Sequence, residues 1–193
     1  MLKRLSLAAA MVVFAATLSA QTPYPDTFKV TYYSNANVGG YLDGTVRITN
    51  VGTQVASKTD PSGNLCAMVY VFDPNQELAE CCGCPITPDG LATLSVNGDL
   101  TDSPLTSVTL RSGDIKIVSS TGYPGCNPTK PVPTIGVRAW GTHIQNGDSR
   151  TETEFADSSL SAAELTRLTR ECSAIRLVGS GLGICTCGNS ITD

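Results

Sequence analysis

The chain has 193 residues, of which 41% are hydrophobic and 16% charged, with 17 Asp and Glu against 13 Lys and Arg. The length suits one domain with a real core, the apolar share excludes a generally disordered chain, and the acidic balance excludes holding nucleic acid or an anionic membrane surface through charge. A single histidine excludes metal catalysis by two or three imidazoles.

The first twenty residues, MLKRLSLAAAMVVFAATLSA, read as a secretory signal peptide. Lys3 and Arg4 form a charged start, Leu5 to Leu18 an apolar run too short to span a bilayer comfortably, and small residues close the segment. Cleavage is expected after Ala20, and no cysteine near that point offers a lipid anchor. Losing Lys3 and Arg4 would leave 11 basic against 17 acidic residues in the mature chain. The expected product, residues 21–193, is one exported domain with no transmembrane segment, placed in the periplasm, at the cell surface or outside the cell.

From 21 to 160, short β-type runs alternate with turn signals. TFKVTYYS (27–34) sets Phe28, Val30 and Tyr32 against Lys29, Thr31 and Tyr33, and TVRITNVG (45–52) sets Val46 and Ile48 against Arg47 and Thr49. CAMVYVF (66–72) is apolar throughout, as expected of a central strand covered on both faces, and Asp73-Pro74-Asn75 ends it. LATLSV (91–96), SVTLRS (107–112), IKIVSS (115–120) and IGVRAWGTHI (135–144) follow. Residues 122–134 carry four prolines and read as loop. No internal repeat shows, and no loop is long enough to divide the chain. The pattern predicts a mainly β fold, an antiparallel two-layer sandwich of about seven strands.

One amphipathic helix is predicted over 161–179. Ser161 and Glu164 form a capping box, Leu160 stands before the cap, and Gly179 or Gly181 ends the helix. Leu165, Leu168, Cys172 and Ile175 share one stripe, with Arg167, Arg170 and Glu171 mostly on the other side. A cysteine-containing tail follows.

Eight cysteines, Cys66, Cys81, Cys82, Cys84, Cys126, Cys172, Cys185 and Cys187, form an even set that reads first as four disulfides of unknown pairing in an exported chain. The alternative is a zinc or cuprous copper site, or a thiol-redox centre, using Cys81, Cys82 and Cys84 from one loop with Cys185 and Cys187 from another. Against it, the spacing is not the usual C-x-x-C pair and no histidine is adjacent.

Catalytic signals are sparse. His143 lies near the end of a predicted strand, and no G-x-S-x-G elbow is present. Asp73, Glu77, Glu80, Glu152 and Glu154 are the carboxylates available for a glycosidase pair, and Glu152 and Glu154 in TETEF would share one strand face. In DPNQE, Asp73, Asn75 and Glu77 resemble the start of a calcium loop but fit a turn with helix-start residues better. Trp140, Tyr123 and the Tyr32-Tyr33 pair offer aromatic rings for a sugar-binding surface, although a core tryptophan explains Trp140 equally well.

At GTVRITNVG, LCAMVYVFDPNQELAECCGCPITPDGL, VRAWGTHIQ and GSGLGICTCG, the chain resembles a family of small exported bacterial proteins of unknown function. These combine a strand ending Y-V-F-D, a C-C-x-C-x-[IV]-T-P-D-G segment and a C-terminal C-x-C-G. The resemblance runs from about Thr45 to Gly188. It implies one architecture for the eight cysteines and no activity, cofactor or catalytic residue. The expected function is therefore an exported, disulfide-stabilised binding, structural or assembly protein of the bacterial envelope or extracellular space, without catalysis and without a cofactor. Its partner would be another protein or a second copy, and TFKVTYYSN is a candidate donor strand. The alternatives are a cysteine-based metal or redox protein and a carbohydrate-active hydrolase.

Overall fold

The computed structural model describes residues 24–53, 63–122 and 125–188. The predicted signal segment, residues 1–20, and Tyr123 lie outside them. Nine antiparallel strands among the described residues form two sheets, and one helix covers the outer face of the larger.

The larger sheet has the order β4-β3-β6-β1-β9, with β1 at Tyr24–Tyr33, β3 at Leu65–Phe72, β4 at Leu78–Ile86, β6 at Gly113–Thr121 and β9 at Ala156–Leu160. The second sheet has the order β5-β2-β7-β8, with β2 at Thr45–Asn50, β5 at Leu91–Ser95, β7 at Val137–Asn146 and β8 at Ser149–Glu154. The apolar run of β3 has its expected place: all eight residues are buried, between β4 and β6 in the plane and between two layers out of it. Val69 and Val71 face a core shared with Val46, Ile48 and Leu94 of the second sheet, whereas Met68, Tyr70 and Phe72 face a second core under the helix.

The helix, α1, spans Ala162–Val178 and buries Leu168, Cys172 and Ile175. Ser161 caps it, its hydroxyl accepting from the Glu164 amide at 3.1 Å. The expected reciprocal half of the capping box is replaced, because the Glu164 carboxylate turns to Lys116 and Arg167. Ser161→Ala should remove about 1 kcal/mol and lower Tm by roughly 2–4 °C in a thermal melt; an unchanged Tm would mean that packing alone sets the helix start.

Three expectations change. The CCGC segment is strand β4 rather than a loop, and Pro85 is accommodated because β4 is an edge strand with no outer ladder to break. TETEF lies in β8 up to Glu154, and Phe155 leads into a further strand, β9; the pattern hid both strands because nearly every side chain in them is exposed. SVTLRS is not a strand: Ser107 has φ 55°, and the Leu110 carbonyl accepts from the Asn37 side chain instead of a neighbouring strand. DPNQE forms a turn, as the sequence favours, but the turn leads into β4 and no helix starts there; the Asp73 carboxylate accepts from the amides of Asn75 and Glu77, both at 2.9 Å.

The candidate donor strand is engaged within its own chain. β1 is held by β6 from Phe28 to Tyr33 and by β9 from Phe28 to Val30, so TFKVTYYSN completes its own sheet. The gaps between the sheets are closed on both sides. On one, the chain passes directly from β8 to β9 through buried Phe155. On the other, the C-terminal tail runs from β4, where the Gly183 carbonyl accepts from the Cys81 amide at 2.9 Å, to the Thr93 carbonyl of β5, which crowds Gly188. No described helix is long and apolar enough to cross a membrane.

Candidate functional site

Strand alternation resolves the crowded cysteine segment. Cys81 faces α1 and bridges Cys172, while Cys82 and Cys84 face the other way and bridge Cys185 and Cys187 of the tail. Cys66 bridges Cys126. The glycine between the cysteines has a steric cause: a Cβ at Gly83 would lie 2.2 Å from the Cys126 carbonyl oxygen, where the proline-rich loop crosses β4. All eight cysteines are therefore paired, and none is free. The five-cysteine set of the metal reading splits, because Cys81 is on the opposite face from Cys82, Cys84, Cys185 and Cys187. The sulfurs of Cys82, Cys84 and Cys187 do lie within 4.8 Å of one another, but as members of two bridges they offer no thiolate.

A different site opens at one end of the sandwich, where β1, β3 and β6 meet α1. A cleft of about 720 Å³ is lined by Tyr32, Asp73, Gln76, Asp114, Lys116 and Arg167, over a floor that includes Phe72 and Tyr33. The floor is fixed. The Tyr33 hydroxyl donates to the Phe72 carbonyl at 3.1 Å, and burial with nearby carboxylates pushes its ionisation far above the usual phenol range, so it stays a donor. Gly113 lets these groups meet, because a Cβ there would lie 1.9 Å from the Phe72 oxygen and 2.8 Å from the Tyr33 hydroxyl.

The helix-side wall is equally fixed. Lys116 Nζ and Arg167 Cζ lie 4.8 and 4.9 Å from the centre of the Phe72 ring. Glu164 accepts from Lys116 Nζ and Arg167 Nη2 with one oxygen, both at 2.9 Å, and from Arg167 Nε with the other at 3.0 Å. The Arg167 hydrogen bonds, aided by Lys116, hold the Glu164 carboxyl down to about 2 against the opposing effect of burial.

On the opposite wall, Tyr32 is 54% exposed yet held flat against His143, with ring centres 4.1 Å apart and planes 22° from parallel. His143 is itself buried, its Nε2 at 2.7 Å from the Thr153 hydroxyl. Burial lowers its pKa from 6.5, opposed by the adjacent Tyr32 backbone, so the ring is neutral at pH 7. The lone histidine thus backs an aromatic ring.

The other sequence candidates fall elsewhere. Trp140 stands half-buried on the outer face of the second sheet, in a cross-strand row with Thr93, Arg47 and Glu154. Glu152 and Glu154 share that face as expected, and Arg47 forms an ion pair with Glu152. Asp73 lines the cleft with its carboxylate committed to its own turn, and Glu77 is exposed beside it. Glu80 is fully buried, one oxygen accepting from the Ser103 amide at 3.0 Å and the other without a hydrogen-bond partner among the described residues. Lys116 and Arg167 received no functional weight from sequence, and the one local sign of the cleft was the Tyr32-Tyr33 pair.

No protein-family model, curated protein or solved structure matches the chain.

Proposed function

We propose that the protein is an exported, disulfide-stapled binding domain that works without catalysis and takes its ligand in the end cleft. The observation that carries this reading is Tyr32, a large aromatic ring left half-open to solvent and yet immobilised by a buried histidine at the mouth of a preformed cleft. Exposed aromatic groups cost solvation, and pre-orienting one lowers the entropy lost when a ligand stacks on it. The volume falls within the roughly 300–1,000 Å³ of small-ligand sites, and a few polar side chains converge on an aromatic floor as such sites require.

Several features support binding over the alternatives. Neither His143 nor its Thr153 partner lines the cleft, and Asp73 is occupied by its turn, which disfavours an acid–base pair for a hydrolase. Strand addition at β8 is opposed by its exposed charges, Arg150, Glu152 and Glu154. Export rests on the signal-like first twenty residues and on four disulfides, which persist in oxidising compartments, and it agrees with the resemblance to small exported bacterial proteins.

The test is a chemical-shift survey of isotope-labelled protein, recovered unreduced from an oxidising compartment, against a small-molecule library. Hits should move the amides of Tyr32, Asp114, Lys116 and Arg167, and Ser112→Trp, which fills the cleft from its rim, should abolish them while leaving Tm unchanged. Hits confined to other surfaces, or undiminished in Ser112→Trp, would overturn the proposal.

A further inference from the structure

We infer that the ligand of the end cleft is a neutral, hydroxyl-rich saccharide that stacks on Tyr32; this rests on the binding function proposed above and names its ligand class. The first ground is the geometry of Tyr32. One face of the ring lies on His143, which is buried and held by Thr153, so the exposed part of the ring forms a fixed platform. The carbon face of a pyranose is flat and apolar, with its hydroxyls at the rim. It stacks on a phenol ring while presenting those hydroxyls to the surrounding walls.

The second ground is charge. Asp73 and Asp114 stand against Lys116 and Arg167 around the cleft, and Glu164 already engages both cations. Glu164 and Glu171 between them engage both cations, so no uncompensated positive charge remains for a phosphate, sulfate or carboxylate. Asp73 is engaged by its own turn amides, and with abundant polar groups this favours a polar neutral ligand.

The third ground is the kind of polar group. Asp114 and Gln76 end in planar groups with two donor or acceptor atoms side by side, and these match the spacing of adjacent hydroxyls on a sugar ring. In this arrangement Tyr32 is the stacking residue and His143 a positioning residue acting through it.

The experiment uses the oxidised full-length product in calorimetric and saturation-transfer NMR titrations with soluble gluco-, xylo-, manno- and chito-oligosaccharides. Inorganic phosphate, spermidine and a neutral tripeptide serve as the non-saccharide probes. At least one oligosaccharide class should bind; Tyr32→Ala should weaken it by about tenfold or more, near 1.4 kcal/mol. Tyr32→Phe should keep most of the affinity, because the ring and its histidine support remain. Trp140→Ala should bind like the parent, since Trp140 lies outside the cleft. An unreduced mass with four bridges and an unchanged Tm show that each variant is folded.

Three outcomes overturn the inference in distinguishable ways. Loss of saccharide binding in Trp140→Ala with retention in Tyr32→Ala would move the saccharide to the sheet face. Cleft shifts with phosphate, spermidine or the tripeptide and none with oligosaccharides would refute the ligand class while leaving the cleft as a binding site. No cleft shift with any probe, or with the wider library, would remove both.

Discussion

Replacing Cys82, Cys84, Cys185 and Cys187 together with alanine should destabilise the protein by more than the sum of the two single-bridge variants. The bridges Cys82–Cys185 and Cys84–Cys187 are parallel rungs between the same strand and the same tail, each spanning 103 residues. Because Cys81–Cys172 already ties the neighbouring segments, the first rung closes a ring of roughly 15 residues, worth about 3 kcal/mol, and once it exists the other closes a ring of only a few residues, worth about 2 kcal/mol. Each single-bridge variant, Cys82→Ala with Cys185→Ala or Cys84→Ala with Cys187→Ala, should therefore lose about 2 kcal/mol, and the four-cysteine variant about 5 kcal/mol. The excess of about 1 kcal/mol is a coupling energy, readable from urea unfolding of the four oxidised proteins. Simple additivity would show that the rungs act through native packing instead of through the unfolded chain. Cys66–Cys126 shares neither segment and spans 60 residues, so its removal should cost about 4 kcal/mol without coupling to the rungs.

The same rungs place the tail across the gap between the sheet edges, where Thr186 hydrogen-bonds Asp99 through both its amide and its hydroxyl. A tail held by one rung still covers the gap, and a tail held by neither has only non-covalent contacts, these and the hydrogen bonds of Gly183 among them. Amide exchange at Leu94, buried beneath the tail, should accordingly rise sharply only in the four-cysteine variant. The doubled bridge makes the closure redundant.

How much of this was legible in sequence depended on whether a residue's neighbours along the chain are also its neighbours in space. β3 was legible because burial on both faces leaves an unbroken apolar run, and α1 because its stripe and its Ser161 cap are local patterns. β8 was not, because an exposed edge strand carries no alternation, and β4 was not, because Cys, Gly and Pro replaced the usual strand residues for reasons of bridging and clearance. The even cysteine count pointed to bridges, but the partners followed from which face of β4 each side chain takes. The cleft was the least legible part. Tyr32, Phe72, Lys116 and Arg167 come from four elements, and nothing local to any of them records that they converge. Tyr32 drew attention only as one half of an aromatic pair, and His143, weighed as a catalyst, turned out to be the support of that ring.

Glu80→Gln should stabilise the protein at alkaline pH and flatten the upper limb of its pH–stability curve. The Glu80 carboxyl is fully buried with one satisfied oxygen, and burial, opposed by the Ser103 amide, pushes it from 4.5 up to about 7. An acid whose folded pKa is raised binds more protons in the native state than in the unfolded state across that interval. Its contribution is complete below pH 4.5 and is lost as pH rises towards 7, at a slope approaching 1.4 kcal/mol per pH unit. The total is on the order of 3 kcal/mol. Glu164 works in the opposite sense, since its carboxyl is held down to about 2, so its stabilisation is present above 4.5 and lost as pH falls towards 2. His143, whose pKa burial lowers from 6.5, likewise contributes stability that is lost as pH falls below 6.5, so the alkaline limb is the one that Glu80 governs. Glutamine keeps the acceptor for Ser103 and carries no charge, so Glu80→Gln should gain about 1–2 kcal/mol at pH 8 and change little at pH 5, as read from urea midpoints between pH 4 and 9. An alkaline decline that persists in Glu80→Gln would place its origin elsewhere. In the parent protein the charge appears beneath Ser103, whose carbonyl accepts from the Gly183 amide at 2.6 Å at the start of the tail. Exchange of the Ser103 and Gly183 amides should therefore accelerate above pH 7 beyond the intrinsic rise, and that excess should vanish in Glu80→Gln, because an ionised, half-satisfied carboxylate relieves its desolvation by opening the segment that covers it.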